Sequence, residues 1–455
     1  MDRTATGGSG RRLYVGAGDQ GFVLTEPETA LLVLGPPRSG KTSAVVVPNV
    51  LAAEGPVVST STKPDVLAAT WRARRKVGRC WVFDPTGSAK LGQFEGGVTE
   101  LRWSPVTAAH DWDRAVSTAR AMVGAARPSP TPAEQHWTER AGALLAPLLH
   151  AAALTGGSVS DLATWVDRHD LRPALDGLRA APGSSPRAVD LIEGIARTDE
   201  REASSIWSTA SGVLAAYRSG AALASATRPN FDADHFVGTA DTVYVCAPAS
   251  EQATVGTLVA GLLEAVRDAR YRLEAEAAGG PAVVLALDEA ANIAPLPELP
   301  SVVSEGGGQG VLTLACFQDL SQARWRWGRR AEGFLTLFGA KLVLPGVSDP
   351  ATLDALSTVA GDEEVDIRSR TSAGWRRPGS TTWSTRSQRR LPPDVVRRGR
   401  PGSALLVEGA AEPAWVRLTP WHREPVWADL AAGGSSRDRS HPFEAERGDQ
   451  GWQLG

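Results

Sequence analysis

The sequence predicts an α/β fold, with a mostly parallel sheet wound by helices and interrupted by an all-helical insert. Three observations carry that expectation. Seven short runs are almost continuously apolar, as strands covered on both faces must be. Helix-patterned segments separate several of them, for example residues 251–277. From about 108 to 228 the chain is rich in Ala and Leu, keeps helical periodicity and shows no strand pattern.

In chain order, residues 1–20 read as a flexible N-terminus. The first strand falls within 28–35, "ETALLVLG", and ends in glycine. Further strands are expected within 55–62, 79–85, 241–248, 282–290, 310–318 and 340–346. In the insert, "AVSTARAMVG", "HWTERAGALLAPLLHAAAL", "VSDLATWVDRHDL" and "ASSIWSTASGVLAAYR" read as successive helices, parted by loops such as "ARPSPTP" and "APGSSPRA". Residues 21–107 and 229–425 are then two parts of one domain, and 108–228 is inserted between them. From 426 to 455 the chain turns polar and is expected to be disordered.

Composition narrows the function. Of 455 residues, 42% are hydrophobic and 22% charged, which is globular usage. A net charge of -3 excludes coating of nucleic acid by bulk positive charge, but not a local basic channel. Cys80, Cys246 and Cys316 lie in apolar runs without metal-ligand spacing, and read as small buried hydrophobes in a reducing compartment. The N-terminus lacks an apolar core of signal-peptide type. The most lipid-like stretch, 141–157, contains Pro147 and His150. It is shorter than the ~18–20 apolar residues a span needs. Leu144, Leu145, Leu148 and Leu149 share one helical face, so a buried amphipathic helix is expected and no membrane span.

The chemistry concentrates in "GPPRSGKTS", residues 35–43. Gly35, Gly40, Lys41 and Thr42 have phosphate-loop spacing. A strand precedes the loop and a helix-capable segment, "SAVVVPNVL", follows, so a helix N-terminus would face the phosphates. Backbone N–H groups of Gly35, Ser39, Gly40, Lys41, Thr42 and Ser43 would then cradle a nucleotide, Lys41 would reach its terminal phosphates, and Thr42 would ligate Mg²⁺. Arg38 is either a further phosphate contact or a solvated side chain. In "VVLALDEAAN" an apolar strand runs into Asp288 and Glu289. Beside a phosphate-loop strand, the first acid holds Mg²⁺ through water and the second polarises the attacking water. Alone, the same pair would be an acidic first turn of a helix. Gln318 ends the next strand, where an amide can sense the γ-phosphate of ATP or simply start a helix.

Four blocks in order resemble a known family. They are "GPPRSGKT", "VVSTSTKPDVLAATWRARRKVGRCWVFDPTG", "LDEAANIAPLPELPSVVSEGGGQGVLTLACFQDLSQARWRWG" and "LPPDVVRRGRPGSALLVEGAAEPAWVRLTPW". With the helical insert between the second and third, they resemble the cytoplasmic ATPase part of type IV coupling proteins. These are the TraG/TraD class of the RecA-like FtsK/HerA group. The likeness runs from about residue 30 to 421, and its third block is far more specific than the phosphate loop.

The resemblance implies a RecA-like P-loop ATPase that uses ATP and Mg²⁺ and forms a hexameric ring. It would link a DNA-processing relaxosome to a membrane secretion channel and move DNA or protein. Lys41, Glu289 and Gln318 would be catalytic, and Thr42 and Asp288 would hold the metal. The insert would recognise a relaxase or secreted protein, and the second part of the nucleotide-binding domain would carry a TraM/TraG-like recognition region. The chain would be cytoplasmic and recruited to the inner face of the plasma membrane by a partner. Two departures stand out. Many relatives begin with membrane-spanning helices, and none is expected here. "SEGGGQG", 304–310, stands where many carry a Gly-Arg pair whose arginine is a candidate finger on a neighbour's ATP. An FtsK-like double-stranded DNA pump and an ATP-switched docking receptor are the alternatives. The arginine-dense stretch 366–400, with Trp375 and Trp383, is either a DNA contact or a solvated loop, and the strandedness of the DNA stays open.

Overall fold

Runs such as Leu31–Leu34 and Val283–Leu287 bury every side chain, which only a strand with cover on both faces can do. In the computed structural model they form the centre of one twelve-stranded sheet. It describes residues 11–434 except 95, 128–131, 249, 277–278 and 372–379. The strands are β1 (Tyr14–Gly18), β2 (Gly21–Leu24), β3 (Leu31–Leu34), β4 (Val57–Ser61), β5 (Cys80–Phe83), β6 (Thr99–Glu100) and β7 (Thr242–Cys246). There follow β8 (Val283–Leu287), β9 (Val311–Phe317), β10 (Ala340–Val343), β11 (Asp362–Thr371), β12 (Ser380–Arg389), β13 (Ser403–Glu408) and β14 (Ala414–Arg417).

The large sheet has the order β2-β1-β14-β13-β10-β3-β9-β8-β4-β7-β5-β6. From β10 to β6 every pairing is parallel. From β10 outward through β13, β14, β1 and β2 every pairing is antiparallel. Alternate residues serve opposite faces. Leu32 and Leu34 enter the core shared with the helical insert, and Leu31 and Val33 enter the core under the helices Val47–Ala52 and Asp65–Arg74. β11 and β12 pair only with each other, as a separate ribbon.

Among the described residues between β6 and β7 there are helices and no strand. Asp111, Ser158 and Asp199 cap three of these helices, Ser158 through a reciprocal box with Asp161. The first long helix, Trp112–Ala126, is built into the sheet domain. A Cβ on Gly261, in the helix Gln252–Ala275, would lie 2.8 Å from Trp103 and 3.2 Å from Met122. Buried Arg326 donates to the carbonyls of Ala125 and Pro295. A cut at residue 108 therefore exposes an apolar helix face that the sheet domain normally covers.

Both chain ends depart from expectation where they are described. β1 lies within the predicted flexible 1–20, and Leu13, Tyr14 and Val15 are fully buried. Asn49 explains why: its amide accepts from Tyr14 N at 2.8 Å and donates to Tyr14 O at 2.9 Å. The helix Pro425–Ala431 likewise starts the predicted disordered tail. Its buried Trp427 stacks on Phe22 at 5.1 Å and meets Tyr14 edge-on at 5.2 Å. Residues 1–10 and 435–455 lie outside the described residues. Cys80, Cys246 and Cys316 are buried and free. Among the described residues no helix is long and apolar enough to cross a membrane.

Glu264 gives the fold a pH dependence. It is 5% exposed on the helix Gln252–Ala275, and burial pushes its carboxyl from the ordinary 4.5 up to about 7. Burial outweighs the Arg267 guanidinium 2.7 Å away, while Asp268 and Glu298 reinforce the rise and Arg120 opposes it. Between those two values the folded chain keeps a proton that the unfolded chain has lost. This group therefore favours folding as the pH falls from 8 towards 5.5. Glu264→Gln should stabilise the fold at pH 8 by about 2 kcal/mol, or ~2–4 °C in Tm, and by much less at pH 5.5. Thermal melts at both pH values check this. An equal gain at both would mean the carboxyl is not the source.

Candidate nucleotide site

The sheet's order brings the predicted residues to one edge. Gly35 follows β3, Gln318 follows β9 and Asp288 follows β8, and these are adjacent strands in the order β3-β9-β8. Here the structure corrects an expectation, because the Asp288 strand is not the direct neighbour of the phosphate-loop strand. β9 lies between them, so Gln318 sits at the strand end between the loop and the acid. Strand order is a long-range property, and no local pattern in the sequence encodes it. All three lie at the carboxyl ends of parallel strands, where open α/β sheets bind ligands.

The loop turns tightly. Gly40 has φ +100, a conformation that L side chains rarely adopt. Arg38 is also left-handed, at φ 63, and its side chain is exposed at the tip of the loop. The next turn, Thr42–Val46, is π-helical and runs into the helix Val47–Ala52. Lys41 is 6% exposed, and its ammonium donates to the carbonyls of Gly35 and, at 3.0 Å, Pro36. Ser39 Oγ is buried inside the loop without a hydrogen-bond partner. Ser43 Oγ donates to Gly40 O at 3.4 Å.

One bond ties the loop to the acidic strand. Thr42 Oγ1 donates to Asp288 Oδ2 at 2.6 Å. Asp288 is 6% exposed, and burial pushes its carboxyl up to about 6. The Thr42 bond and Lys41 pull it down, while Glu289 and Asp65 push it further up. Glu289 is half-buried and left-handed, at φ 55. Its carbonyl accepts from Asn292 and Ile293 N at the start of the short helix Ala290–Ile293. Gln318 is half-buried, and its backbone N–H donates to Gln322 Oε1 at 2.8 Å.

The residue set suits a phosphate chain with a hard cation. Thr42 and Asp288 supply adjoining oxygen donors of the kind Mg²⁺ takes. The Ser39 hydroxyl has unspent hydrogen-bonding capacity, and the Lys41 ammonium is held by loop carbonyls that a phosphate oxygen can replace. One contributor escaped the sequence reading. Thr60, on β4, donates to the Asp288 carbonyl at 3.0 Å and fixes the strand end. Its signal is the run of hydroxyl residues Ser59, Thr60 and Ser61 that ends the buried strand "VVSTS". Lys63, just beyond, is exposed at the turn.

Three of the four glycines of 304–310 have a packing reason. A Cβ on Gly307 would lie 1.9 Å from the Glu28 carbonyl, and one on Gly310, at φ +76, 2.3 Å from Arg270 Nε. Arg270 is fully buried there, bonded to Gly310 O at 3.2 Å and paired with Glu274. Neither glycine has room for an arginine. Gly310→Ala should cost about 1–3 kcal/mol in urea unfolding, from left-handed strain plus displacement of Arg270, and leave nucleotide affinity unchanged.

The comparisons fit this geometry. Residues 2–413 match the family described as Type IV secretory system Conjugative DNA transfer. No curated protein matches the sequence. Among solved structures, the bacterial conjugative coupling protein TrwB in an unbound monoclinic form is similar at 18% identity and a TM-score of 0.66, over 89% of each chain. TrwB with ADP and Mg²⁺ is similar at 18% identity and a TM-score of 0.63, over 86% of each chain. TrwB with the non-hydrolysable GTP analogue GDPNP is similar at 19% identity and a TM-score of 0.62, again over 86% of each. At these identities the likeness speaks for the fold, a RecA-like sheet with helices on both faces. The sequence match itself spans most of the chain, and the chain belongs to the conjugative DNA transfer family of type IV secretory systems.

Proposed function

We propose that the chain is an ATP-driven motor that couples DNA, protein or both to a conjugative secretion channel. The observation that carries this reading is the Thr42–Asp288 bond, which joins the phosphate loop to the acidic strand across β9. The phosphates of ATP fit against the loop's N–H groups, the Ser39 hydroxyl and the Lys41 ammonium. Thr42 and Asp288 hold Mg²⁺, which when bound neutralises charge on the phosphates. Glu289 accepts the proton of the attacking water, and the Gln318 amide reports the γ-phosphate. Relatives of this fold carry ADP with Mg²⁺ and a GTP analogue, in keeping with a triphosphate site.

The nucleotide-binding parts are 21–107 and 229–425, and the insert 108–228 recognises cargo such as a relaxase or secreted effector. The working form is a homo-oligomeric ring, hexameric by the resemblance, recruited to the cytoplasmic face of the membrane by channel components. ATP turnover of the purified chain, alone and with single- or double-stranded DNA, tests the reading. DNA-stimulated turnover is expected. Stimulation by duplex alone would favour an FtsK-like pump. ATP binding with protein cargo but no turnover would favour a docking receptor.

A further inference from the structure

The ribbon β11–β12 pairs with no strand of the large sheet, and among the described residues it is tied at its base to the helix Pro350–Ala360. There Arg389 donates to Thr358 at 3.0 Å, and Arg390 N donates to Gly361 O at 3.0 Å. Its described side chains, 362–368 and 383–390, are exposed or half-buried on both faces. A two-stranded ribbon with neither face covered is marginal in water, which points to an occupant.

Charge divides the ribbon by strand. The acids Asp362, Glu363, Glu364 and Asp366 all lie on β11, from its base to its middle. At the base Asp362 faces Arg389 at 3.7 Å, and Glu412 meets Arg390 at 3.0 Å. β12, Ser380–Arg389, carries Arg386 and Arg389 and no acid. In the described outer part, the Arg368 guanidinium lies over the Trp383 ring, 5.6 Å from its centroid, across the Arg368↔Trp383 pair. Trp383 is 65% exposed, and Arg386 is exposed on the other face, opposite Val365. An exposed indole under one guanidinium group, with a second guanidinium exposed on the opposite face, matches a ligand that is anionic along its backbone and carries free aromatic faces.

We propose that this ribbon contacts single-stranded DNA. Trp383 stacks on an unpaired base, and Arg368 and Arg386 neutralise phosphates. Duplex DNA offers the same phosphates but no free base face. The inference rests on DNA being cargo, and the residues 372–379 between the strands play no part in it.

Anisotropy of a labelled oligo-dT, and of a duplex of equal length, with the full chain tests it. Trp383→Ala should weaken oligo-dT binding about 5- to 150-fold, with a smaller effect on duplex, and Trp383→Phe should keep most of the affinity. Arg368→Gln with Arg386→Gln should reduce the slope of log affinity against log salt by about 1.4. Nucleotide affinity of each variant, read in parallel, should equal the parent's and so reports the fold. Unchanged oligo-dT affinity in Trp383→Ala overturns the proposal, and so does an equal loss on duplex. A fall in oligomer mass with unchanged DNA affinity would make the ribbon an interface between copies and also overturns it. A parent that binds no DNA defeats the reading of DNA as cargo together with this proposal. A parent that binds DNA independently of the ribbon defeats only the latter.

Discussion

Lys41→Ala should reduce nucleotide affinity at least about 100-fold and bring ATP hydrolysis to background. The side chain is 6% exposed, and its ammonium already sits between the carbonyls of Gly35 and Pro36. It reaches the terminal phosphates by exchanging those carbonyls for phosphate oxygens, with little reorganisation. Each charge-assisted hydrogen bond lost contributes about 1.5–3 kcal/mol, and two of them account for the expected fall in affinity. Lys41→Arg should not restore function, because a planar guanidinium does not fit where a compact ammonium is held by two carbonyls of one loop. The substitution also acts on Asp288. Without the nearby positive charge its carboxyl, already pushed up to about 6, rises further and holds a proton nearer neutrality. Fluorescent-nucleotide titration and phosphate release measure the two effects. Hydrolysis by the variant at the parent rate would remove the phosphate-loop assignment.

The sequence made the parallel half of the sheet legible for a physical reason. Strands buried on both faces are near-continuous apolar runs, and β3, β5, β7, β8, β9 and β10 each lie in one, while β4 opens apolar and ends in buried Ser59, Thr60 and Ser61. The antiparallel flank is less visible. β2 is half-buried throughout, and β14 buries only Val416, so neither stands out from a loop. β1 is held by Asn49 and by Trp427 near the far end of the described chain, partners that no local window contains. The ribbon's sequence shows only an arginine-rich stretch, because the described side chains of β11 and β12 form no buried face that would impose apolar alternation. At the site, Lys41 and Thr42 are local to one motif. Thr60 acts on a carbonyl 228 positions away, and the position of β9 between the loop and the acid is equally non-local.

Glu289→Gln should separate binding from chemistry. The amide keeps the size and much of the hydrogen bonding of the carboxylate but cannot accept a proton from water. Hydrolysis should fall about 10²- to 10⁴-fold, while affinity for ATP with Mg²⁺ stays within about 3-fold of the parent at pH 8. The left-handed backbone at φ 55, costly for a residue with a Cβ, holds this side chain at the strand end beside Asp288, and glutamine keeps it there. A second consequence follows from the charge removed. Glu289 is one of the groups that raise the Asp288 carboxyl, so its loss moves that carboxyl back towards its ordinary range. Asp288 takes up a proton as the pH falls through about 6 and then no longer serves a cation. In the variant this protonation is shifted to lower pH. Near pH 6 it should therefore bind Mg²⁺ with nucleotide more tightly than the parent, and at pH 8 equally. Titrations at both pH values with single-turnover hydrolysis decide the matter. Parallel loss of binding and hydrolysis at pH 8 would assign Glu289 to holding the strand end instead of to the reacting water.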